Sequence, residues 1–574
     1  MENGIYHTTL IHSSLLAAVC ALVFLLFLDK TPFHDKGEPR EALVVRDIVL
    51  EGRWLLPLRA GEHIASKPPL FHWFAAGASI LRGEMNEATI RFPSALFATL
   101  GVFLCYFFGR SLYDPKTGLW AALILATTAL YYAAGIEARV DMTLVFFVTL
   151  SLVLFFSIYR GFLKHRIWWY VFFITAGVSV TAKGPVSIVL CGLVIAAFLR
   201  MQKRWDVFWT MLCHPGWLLG MLLCVGWYAA ALYLGGDEFF NLQFVKENFA
   251  RYFVHGEGGT GHQKPFYYFV PYLFTLGMPW TLFLPGVIWS YFSDQFRRRE
   301  DLLFLGLWAA TVFVFFSLSA GKRPPYILPL YPPLALLIAV WLRDQTFGTF
   351  WKSSYFKFVA VFASLTGAVL GAGLAIYLIR LDVVSLLLSL GVTMQENVAA
   401  EISNLLSALR SIGWLVPVSF VAAMVIWFSI ARSLYQCRID SAVTQMVLVT
   451  VLAIAFTRSL ILPNLAKMES YKEFMQSATA IAAGGQSLML FPRAIDPSSI
   501  IFYGKSKVEI LPDDVAVLQT KIMQSKAYFI VEEDAWKSYF ADFSKIPIVD
   551  RSRGTGADGD ARLLLVRGME PDLE

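Results

Sequence analysis

Residues 34–73 read HDKGEPREALVVRDIVLEGRWLLPLRAGEHIASKPPLFHW and form the first long polar interruption in a very apolar chain. Pro39 suits the first turn of a helix and Gly52 suits its end, so a short helix is predicted between them. Its apolar residues fall on one stripe, which is the pattern of an amphipathic helix lying on a membrane surface. The segment SKPP at 66–69 then predicts a second helix, which starts at a proline directly behind a cation.

The composition around this stretch is that of a membrane protein. Of the 574 residues, 57% are hydrophobic and 16% are charged, which is too few charges for a soluble chain of this length. Runs that are long and apolar enough to cross a bilayer predict about 13 transmembrane helices. They lie near residues 11–28, 89–109, 117–136, 142–159, 167–182, 185–199, 207–234, 266–292, 302–319, 325–341, 356–379, 412–431 and 441–462.

Every second loop between these runs is rich in lysine and arginine. The positive-inside rule assigns such loops to the cytoplasm, so the N-terminus is predicted to be cytoplasmic and the C-terminus to lie outside. The long loops 29–88, 235–265 and 380–411 then also lie outside. These basic loops explain the formal net charge of +6, and no nucleic acid partner is expected.

The composition changes after Pro463 to that of a soluble domain. Short β-rich runs cover residues 487–491, 500–504, 508–511, 527–534, 546–550 and 561–568, and helical stretches separate several of them. This alternation predicts a small α/β domain over 464–574, which follows a transmembrane domain over 1–463.

Cations occupy the short outside loops, where the positive-inside rule does not place them. In four of these loops a cation stands just before a proline that opens a helix. These cations are Lys67, Lys183, Lys264 and the pair Lys322-Arg323. Arg40 stands near the start of the first-loop helix. Lysines that snorkel at the interface are the alternative explanation, but several cations at helix N-termini on one face indicate a phosphate carried by a lipid.

Three carboxylates on the same face are candidates for a general base. Asp35 and Glu38 belong to the first loop, and Asp141 stands at the outer start of the fourth span. Because a lipid-facing Asp141 would be costly, we expect it to face the protein or a wet cavity. Two structural alternatives stay open: Glu38 as a helix cap, and an Arg139–Glu137 ion pair beside Asp141. A pair of carboxylates suits the activation of an acceptor hydroxyl.

A possible metal site lies in the loop 235–265. His255, Glu257 and His262 have side chains that bind divalent metals, but their spacing matches no recognised zinc pattern and glycines surround them. Ordinary loop polarity or contact with an acceptor is the preferred interpretation. No G-x-x-x-x-G-K-[ST] nucleotide motif is present. We expect no required cofactor, with a divalent metal as the open alternative.

Several of these segments together resemble a known family. The first loop, the VDMTL start of the fourth span, the segment NFARYFVHGEGGTGHQKPFYY and above all FFSLSAGKRPPYILPLYPPLALL at 315–337 are similar to the bacterial GT-C membrane glycosyltransferases. This group includes the aminoarabinose transferase of lipid A and relatives of the protein O-mannosyltransferases. The resemblance covers residues 10–345.

The resemblance implies a fold, a reaction and a location. The fold is a multi-span helical bundle with a small periplasmic α/β domain, in the bacterial inner membrane. The reaction is the inverting transfer of a sugar from an undecaprenyl-phosphate-linked donor to a lipid, glycan or protein acceptor at the periplasmic face. A transporter or flippase of an anionic or lipid-linked substrate is the alternative. Transporters place charged sites near the midplane, whereas the charges here gather at one face.

The resemblance also assigns roles to particular positions. It implies that Lys67, Lys322 and Tyr326 lie beside the donor phosphate. The family usually carries an Asp-Glu pair in the first loop, but here Gly37 replaces the first acid. The base therefore stays open among Glu38, Asp35 and Asp141. Ser66 stands where relatives often carry an acid that helps to bind metal, which weakens the metal hypothesis.

Overall fold

The structure, a computed structural model, describes residues 2–254, 263–292, 299–343, 349–389, 396–482, 486–492, 495–504, 508–540, 546–556 and 561–569. Within these ranges, nine helices are long and apolar enough to cross a membrane, and two bent pairs raise the number to eleven. The nine are Tyr6–Leu25, Glu87–Leu112, Asp141–Tyr159, Gly216–Phe253, Glu300–Leu318, Pro324–Arg343, Lys352–Leu378, Leu415–Tyr435 and Ile439–Glu469. The bent pairs are Pro115–Ala126 with Ala129–Ile136, and Phe266–Leu276 with Trp280–Ser290.

Two shorter apolar helices occupy the positions of the remaining predicted spans. Ile167–Lys183 and Val186–Gln202 have 17 residues each, which is the lower limit for crossing a bilayer. The multi-span helical fold is therefore confirmed, and each of the predicted apolar runs is helical. The other helices with printed bounds outside the spans are Gly37–Glu51, Leu70–Arg82, Trp205–Leu212, Val383–Ser389, Glu396–Ile412, Lys472–Ala482, Ser498–Tyr503, Val515–Gln524 and Glu533–Phe540.

The loop predicted over 235–265 is shorter in the structure. The helix that starts at Gly216 continues to Phe253, with a kink at Gly236 and a wider π-helical stretch after it. Phe239 and Phe244 pack against Tyr228 of the same helical run, and this contact keeps the segment helical beyond the apolar run. The sequence analysis did not anticipate this helix, and the placement of the segment outside the membrane stays a prediction.

The first loop contains both predicted helices, and they are joined by a small antiparallel pair of strands. The first-loop helix, Gly37–Glu51, ends at Gly52, whose φ of 68° is left-handed and favours glycine. The strands are Leu58–Arg59 and His63–Ile64. The helix Leu70–Arg82 follows Pro69, as predicted.

The apolar stripe of the first-loop helix packs on protein. Ala42, Val45 and Ile48 are buried in one core with residues of the C-terminal part, including Phe474 and Ile500. We predicted that this helix would lie on the membrane surface, so the stripe has a different partner from the one expected. The sequence pattern identifies an apolar face but does not identify the surface that covers it.

The C-terminal part contains a mixed five-stranded sheet. In spatial order its strands are Val508–Ile510, Leu488–Leu490, Tyr528–Glu532, Leu563–Arg567 and Ile548–Arg551. The first three strands run parallel to one another. The strand Leu563–Arg567 runs antiparallel to both of its neighbours. One face shares the core with the first loop, and the other packs on the helices Val515–Gln524 and Glu533–Phe540.

One predicted strand in this part is wrong. Residues 500–504 lie mostly in the helix Ser498–Tyr503, before which the side chain of Asp496 accepts a hydrogen bond from the Ser498 N–H at 3.0 Å. A short apolar run does not distinguish a strand from a buried helix. The last spanning helix runs to Glu469, and the domain boundary at 463 stays a prediction.

Candidate active site

A cavity of about 830 Å³ lies where the first loop meets the ends of several spans. Ten lysine and arginine residues line it: Arg40, Arg59, Lys67, Arg139, Lys183, Lys246, Arg251, Lys264, Lys322 and Arg323. Five carboxylates line it as well: Glu41, Glu137, Asp141, Glu238 and Glu247. This excess of positive charge attracts an anion such as a phosphate.

All of the residues predicted to hold a donor phosphate line this cavity. They are Arg40, Lys67, Lys183, Lys264, Lys322, Arg323 and Tyr326. The prolines that follow four of the cations also behave as predicted, since a helix or a 3₁₀ turn begins at or just after each one. The fold thus brings four cationic helix starts to one place, which is the arrangement of an anion site. Their role toward a phosphate stays a prediction.

An ion-pair network forms the centre of the cavity wall. Lys67 pairs with Glu247, and Arg251 also pairs with Glu247 at 3.0 Å. Lys183 pairs with Asp141 and lies 4.8 Å above the ring centre of Tyr326. The Tyr326 hydroxyl accepts a hydrogen bond from Arg251 at 3.4 Å. The network holds several cations in fixed positions before any ligand arrives.

The surroundings of Lys67 lower its pKa. Burial lowers the pKa of Lys67 to about 8, and the nearby charges of Arg251 and Lys183 act in the same direction. Glu247 opposes this shift through its charge and its hydrogen bond. Lys67 is therefore charged at neutral pH and loses its charge in mildly alkaline solution.

An apolar groove of about 240 Å³ adjoins the cavity. Lys67, Lys183, Glu247, Arg251 and Tyr326 line both spaces. The rest of the groove is mainly apolar and includes Leu144, Val186, Val189, Phe253, Phe315 and Phe316. A charged cavity therefore continues into an apolar groove between membrane-spanning helices.

Glu38, the first candidate base, is absent from the residues that line the cavity. Its carboxylate accepts hydrogen bonds from Arg91 at 2.7 and 2.6 Å and from the Ala138 N–H at 2.9 Å. Its residue is 2% exposed. In this structure Glu38 has the contacts of a buried structural ion pair. Its role as a base stays a prediction.

The other two candidate bases lie in different places. Asp35 accepts a hydrogen bond from the Glu38 N–H at 2.9 Å in the first turn of the first-loop helix, and it pairs with Arg139. Asp141 lines the cavity, as expected, but its carboxylate is engaged with Lys183. The alternative that Arg139 pairs with Glu137 is wrong, because the Arg139 guanidinium turns to Asp35.

Two further predicted phosphate ligands, Lys322 and Arg40, also form hydrogen bonds to other parts of the protein. The Lys322 ammonium donates to the carbonyl oxygens of Lys264 at 3.0 Å and Ser319 at 2.5 Å, so it fixes the two segments that carry these residues. Burial lowers the pKa of Lys322. Arg40 donates to Asp496 at 2.7 Å and thereby joins the cavity wall to the C-terminal part.

The sequence analysis missed several charged residues of the cavity. Glu247 and Arg251 stand four residues apart in the helix that was predicted as a loop. Charged residues at the end of an apolar helix are themselves a signal of function. The Glu41 carboxylate accepts a hydrogen bond from the His72 Nε2 at 2.7 Å. Burial acts to raise the pKa of Glu41, but His72 and the nearby cations lower it overall.

The predicted metal ligands His255, Glu257 and His262 lie outside the described residues. Among the residues that the structure describes, no group of three or more His, Cys, Asp or Glu side chains is placed to hold a metal ion. The need for a divalent metal stays a question for experiment.

Comparisons with known proteins agree with this geometry. Residues 66–229 match the family model described as dolichyl-phosphate-mannose-protein mannosyltransferase. The chain is 30% identical over 330 residues to the undecaprenyl phosphate-alpha-4-amino-4-deoxy-L-arabinose arabinosyl transferase of Pseudomonas aeruginosa strain UCBPP-PA14, which covers 57% of this chain and 58% of the relative. The transferase of the same name from Serratia proteamaculans strain 568 is 28% identical over 371 residues, with coverages of 63% and 65%. The chain thus spans less than two thirds of the length of these relatives.

The fold extends this similarity over nearly the whole chain. The crystal structure of ArnT from Cupriavidus metallidurans bound to undecaprenyl phosphate superposes with a TM-score of 0.76, at 19% identity, over 97% of this chain and 98% of that one. The apo form of the same protein superposes with a TM-score of 0.74. These findings support the resemblance predicted from the sequence: this chain is similar in sequence to the named arabinosyl transferases and has the fold of ArnT.

Proposed function

We propose that this chain transfers a sugar from an undecaprenyl-phosphate-linked donor to a lipid, glycan or protein acceptor. The observation that carries the proposal is the cation-lined cavity that continues into an apolar groove through five shared residues. A polyprenyl phosphate has the same two parts, a charged head and a long apolar tail. The printed names of the Pseudomonas and Serratia relatives, which include undecaprenyl phosphate, support this donor class.

The cations have a defined task in such a reaction. As the bond between the anomeric carbon and the phosphate oxygen breaks, negative charge grows on the leaving phosphate. Lys67, Lys183 and Arg251 stand at the junction of cavity and groove, where they stabilise this charge. Their existing ion pairs with Glu247 and Asp141 hold them in place, so little reorganisation is needed during the reaction.

The wider part of the cavity accommodates the sugar and the acceptor. Its volume of about 830 Å³ lies within the usual range for small-molecule sites. The groove holds the donor tail on one side, so the acceptor hydroxyl enters from the polar side. Attack from the side opposite the phosphate inverts the configuration at the anomeric carbon. Cations neutralise the phosphate in this scheme, and no divalent metal is required, so transfer by purified protein should continue in excess EDTA.

The protein is a multi-pass inner-membrane protein. We infer from the basic loops that the N-terminus is cytoplasmic and that the cavity and the C-terminus are periplasmic. Reporter fusions after Arg204 and after Glu574 test this orientation. The first should report the cytoplasm and the second the periplasm. A cytoplasmic reporter at Glu574 would contradict the inferred orientation.

The activity is tested by mass spectrometry of envelope glycolipids and glycoproteins. Three otherwise identical strains are compared: one with the parental chain, one without the chain and one with Lys67→Ala. We expect one sugar addition to be present only with the parental chain and to be greatly reduced with Lys67→Ala. Unchanged glycolipids and glycoproteins, together with altered movement of a lipid-linked sugar across the membrane, would favour the transporter alternative.

A further inference from the structure

Gly37 and Arg139 meet at one wall of the cavity. A Cβ atom on Gly37 would lie 1.9–2.2 Å from three guanidinium atoms of Arg139, so the arginine takes the space that a side chain at position 37 would need. This is the position at which the family resemblance implies an acid. The first loop therefore directs no carboxylate into the cavity from this position.

Three of the cavity carboxylates form ion pairs or hydrogen bonds with neighbouring side chains. Asp141 is paired with Lys183, and Glu247 is paired with both Lys67 and Arg251. Glu41 shares a hydrogen bond with His72. A cation beside a carboxylate favours the ionised form and weakens it as a proton acceptor. These three groups are therefore poorly suited to take a proton from an acceptor.

Two cavity carboxylates, those of Glu238 and Glu137, have no ion pair or side-chain hydrogen bond among the described residues. Of the two, Glu137 stands two residues before Arg139, the arginine that fills the space beside Gly37. It lies on the short segment between the helices Ala129–Ile136 and Asp141–Tyr159, next to the wall formed by Gly37 and Arg139. Its side chain is exposed, and Glu137 lines the cavity. A carboxylate in this position reaches a bound acceptor without first breaking another contact.

The charges around Glu137 also suit proton transfer. The side chain reaches the cavity, but the protein around it still partly desolvates the carboxylate. This desolvation and the negative charges of Glu38, Asp35 and Asp141 raise the pKa of Glu137 to about 7, against the opposing charge of Arg139. A general base works best when its pKa is close to the working pH.

We propose that Glu137 is the general base of the transfer and stands in for the acid that Gly37 removes from the first loop. The inference rests on the proposed function. The acceptor oxygen forms a bond to the anomeric carbon, and the bond from that carbon to the phosphate oxygen breaks. Undecaprenyl phosphate leaves with the electron pair of that bond. The proton of the acceptor hydroxyl moves to the Glu137 carboxylate, which later releases it to water.

The first test is kinetic and uses the purified full chain. Undecaprenyl-phosphate-linked 4-amino-4-deoxy-L-arabinose serves as the probe donor and lipid A as the probe acceptor. Glu137→Gln should lower kcat by about 10²–10⁴ while leaving the Kd for undecaprenyl phosphate unchanged. For the parental chain, kcat/KM should fall about tenfold per pH unit below about 7, because Glu137 becomes protonated. The Glu137→Gln variant should lose this limb of the profile.

Two matched variants complete the kinetic test. Glu62→Gln alters an exposed glutamate of the first loop outside the cavity and should keep the parental rate. Glu238→Gln alters another cavity carboxylate. If Glu238→Gln loses activity and Glu137→Gln keeps it, the assignment to Glu137 is overturned. If the parental chain transfers nothing from this donor to lipid A, this donor–acceptor pair is excluded, and the assignment to Glu137 is decided by the second test.

A second test does not depend on activity. Infrared difference spectra of the full chain at increasing pH report when a carboxylic acid loses its proton. The parental chain should show a protonated carboxyl signal that disappears within about one pH unit of 7. This signal should be absent from Glu137→Gln and present in Glu62→Gln. A parental spectrum identical to that of Glu137→Gln would overturn the proposal even if the chain transfers sugar.

Discussion

Breaking the ion pair between Glu38 and Arg91 should destabilise the protein before it alters any chemistry. Arg91 donates to both carboxylate oxygens of Glu38, and its remaining nitrogen donates to the carbonyl oxygens of Leu28 at 2.9 Å and Thr31 at 2.6 Å. The Arg91 and Glu38 side chains are 4% and 3% exposed. The loss of either charge therefore leaves the other buried without its partner.

The size of the effect follows from these contacts. Removing one member of a buried ion pair costs about 3–5 kcal/mol, whereas replacing both with apolar side chains is often close to neutral. We expect Glu38→Met and Arg91→Met each to lower the free energy of unfolding by about 3–5 kcal/mol. The double variant should recover most of this loss. It should still lack the acceptor for the Ala138 N–H, which costs about 1–3 kcal/mol.

The assay is unfolding of the purified full chain in detergent micelles, followed by circular dichroism. Glu62→Met, which changes an exposed glutamate of the same loop, is the control and should unfold like the parent. Sugar transfer by Glu38→Gln is measured alongside stability. The structural role of Glu38 is refuted if both single variants are as stable as the parent while Glu38→Gln transfers about 10²–10⁴ times more slowly. Glu38 would then be the base.

Three further predictions concern the network and the C-terminal part. Lys67→Ala should weaken undecaprenyl phosphate binding about ten- to a hundredfold. The affinity of the parental chain should also fall as the pH rises past about 8, because Lys67 loses its proton there. The affinity of Lys67→Arg should stay constant through this pH range. Asp141→Asn removes the ion-pair partner of Lys183, so undecaprenyl phosphate should bind equally well or more tightly. The kcat of Asp141→Asn should fall less than that of Glu137→Gln. A larger fall in kcat would identify Asp141 as the base. Deletion of 468–574 uncovers the apolar stripe of the first-loop helix, so the truncated protein should unfold more readily in detergent. A truncated protein as stable as the parental chain would show that the shared core contributes little to stability.

Much of the fold could be predicted from the sequence because a bilayer imposes simple rules. A spanning segment must be apolar over a minimum length and must satisfy its own backbone hydrogen bonds as a helix, so the spans could be recognised one by one. The ends of the first-loop helix follow from local backbone preferences of Pro39 and Gly52. The cations before prolines at Lys67 and Lys183 were found in the same way, because their signal lies within a few neighbouring residues.

The tertiary structure alone decided which charged groups meet. Glu38 pairs with Arg91, which is 53 positions away, and Asp35 pairs with Arg139, which is 104 positions away. An ion pair is effective over about 4 Å, a distance that only the packing of distant segments sets. The same sequence motifs therefore left Glu38 as a candidate base, whereas the fold buries it against an arginine and leaves Glu137 in the cavity without a partner.

The C-terminal part shows the same division between local and distant information. Short runs of β-forming apolar residues predicted most of its strands, because this preference can be read from a few neighbouring residues. The segment 498–503 is a helix, and its residue Tyr503 donates from its hydroxyl to Glu87 at 2.9 Å while accepting from the Phe33 N–H at 2.7 Å. The sequence by itself determined the membrane-spanning framework and the local helix ends. The partners of buried polar groups came only from the tertiary structure, because each partner lies hundreds of residues or several helices away in the chain.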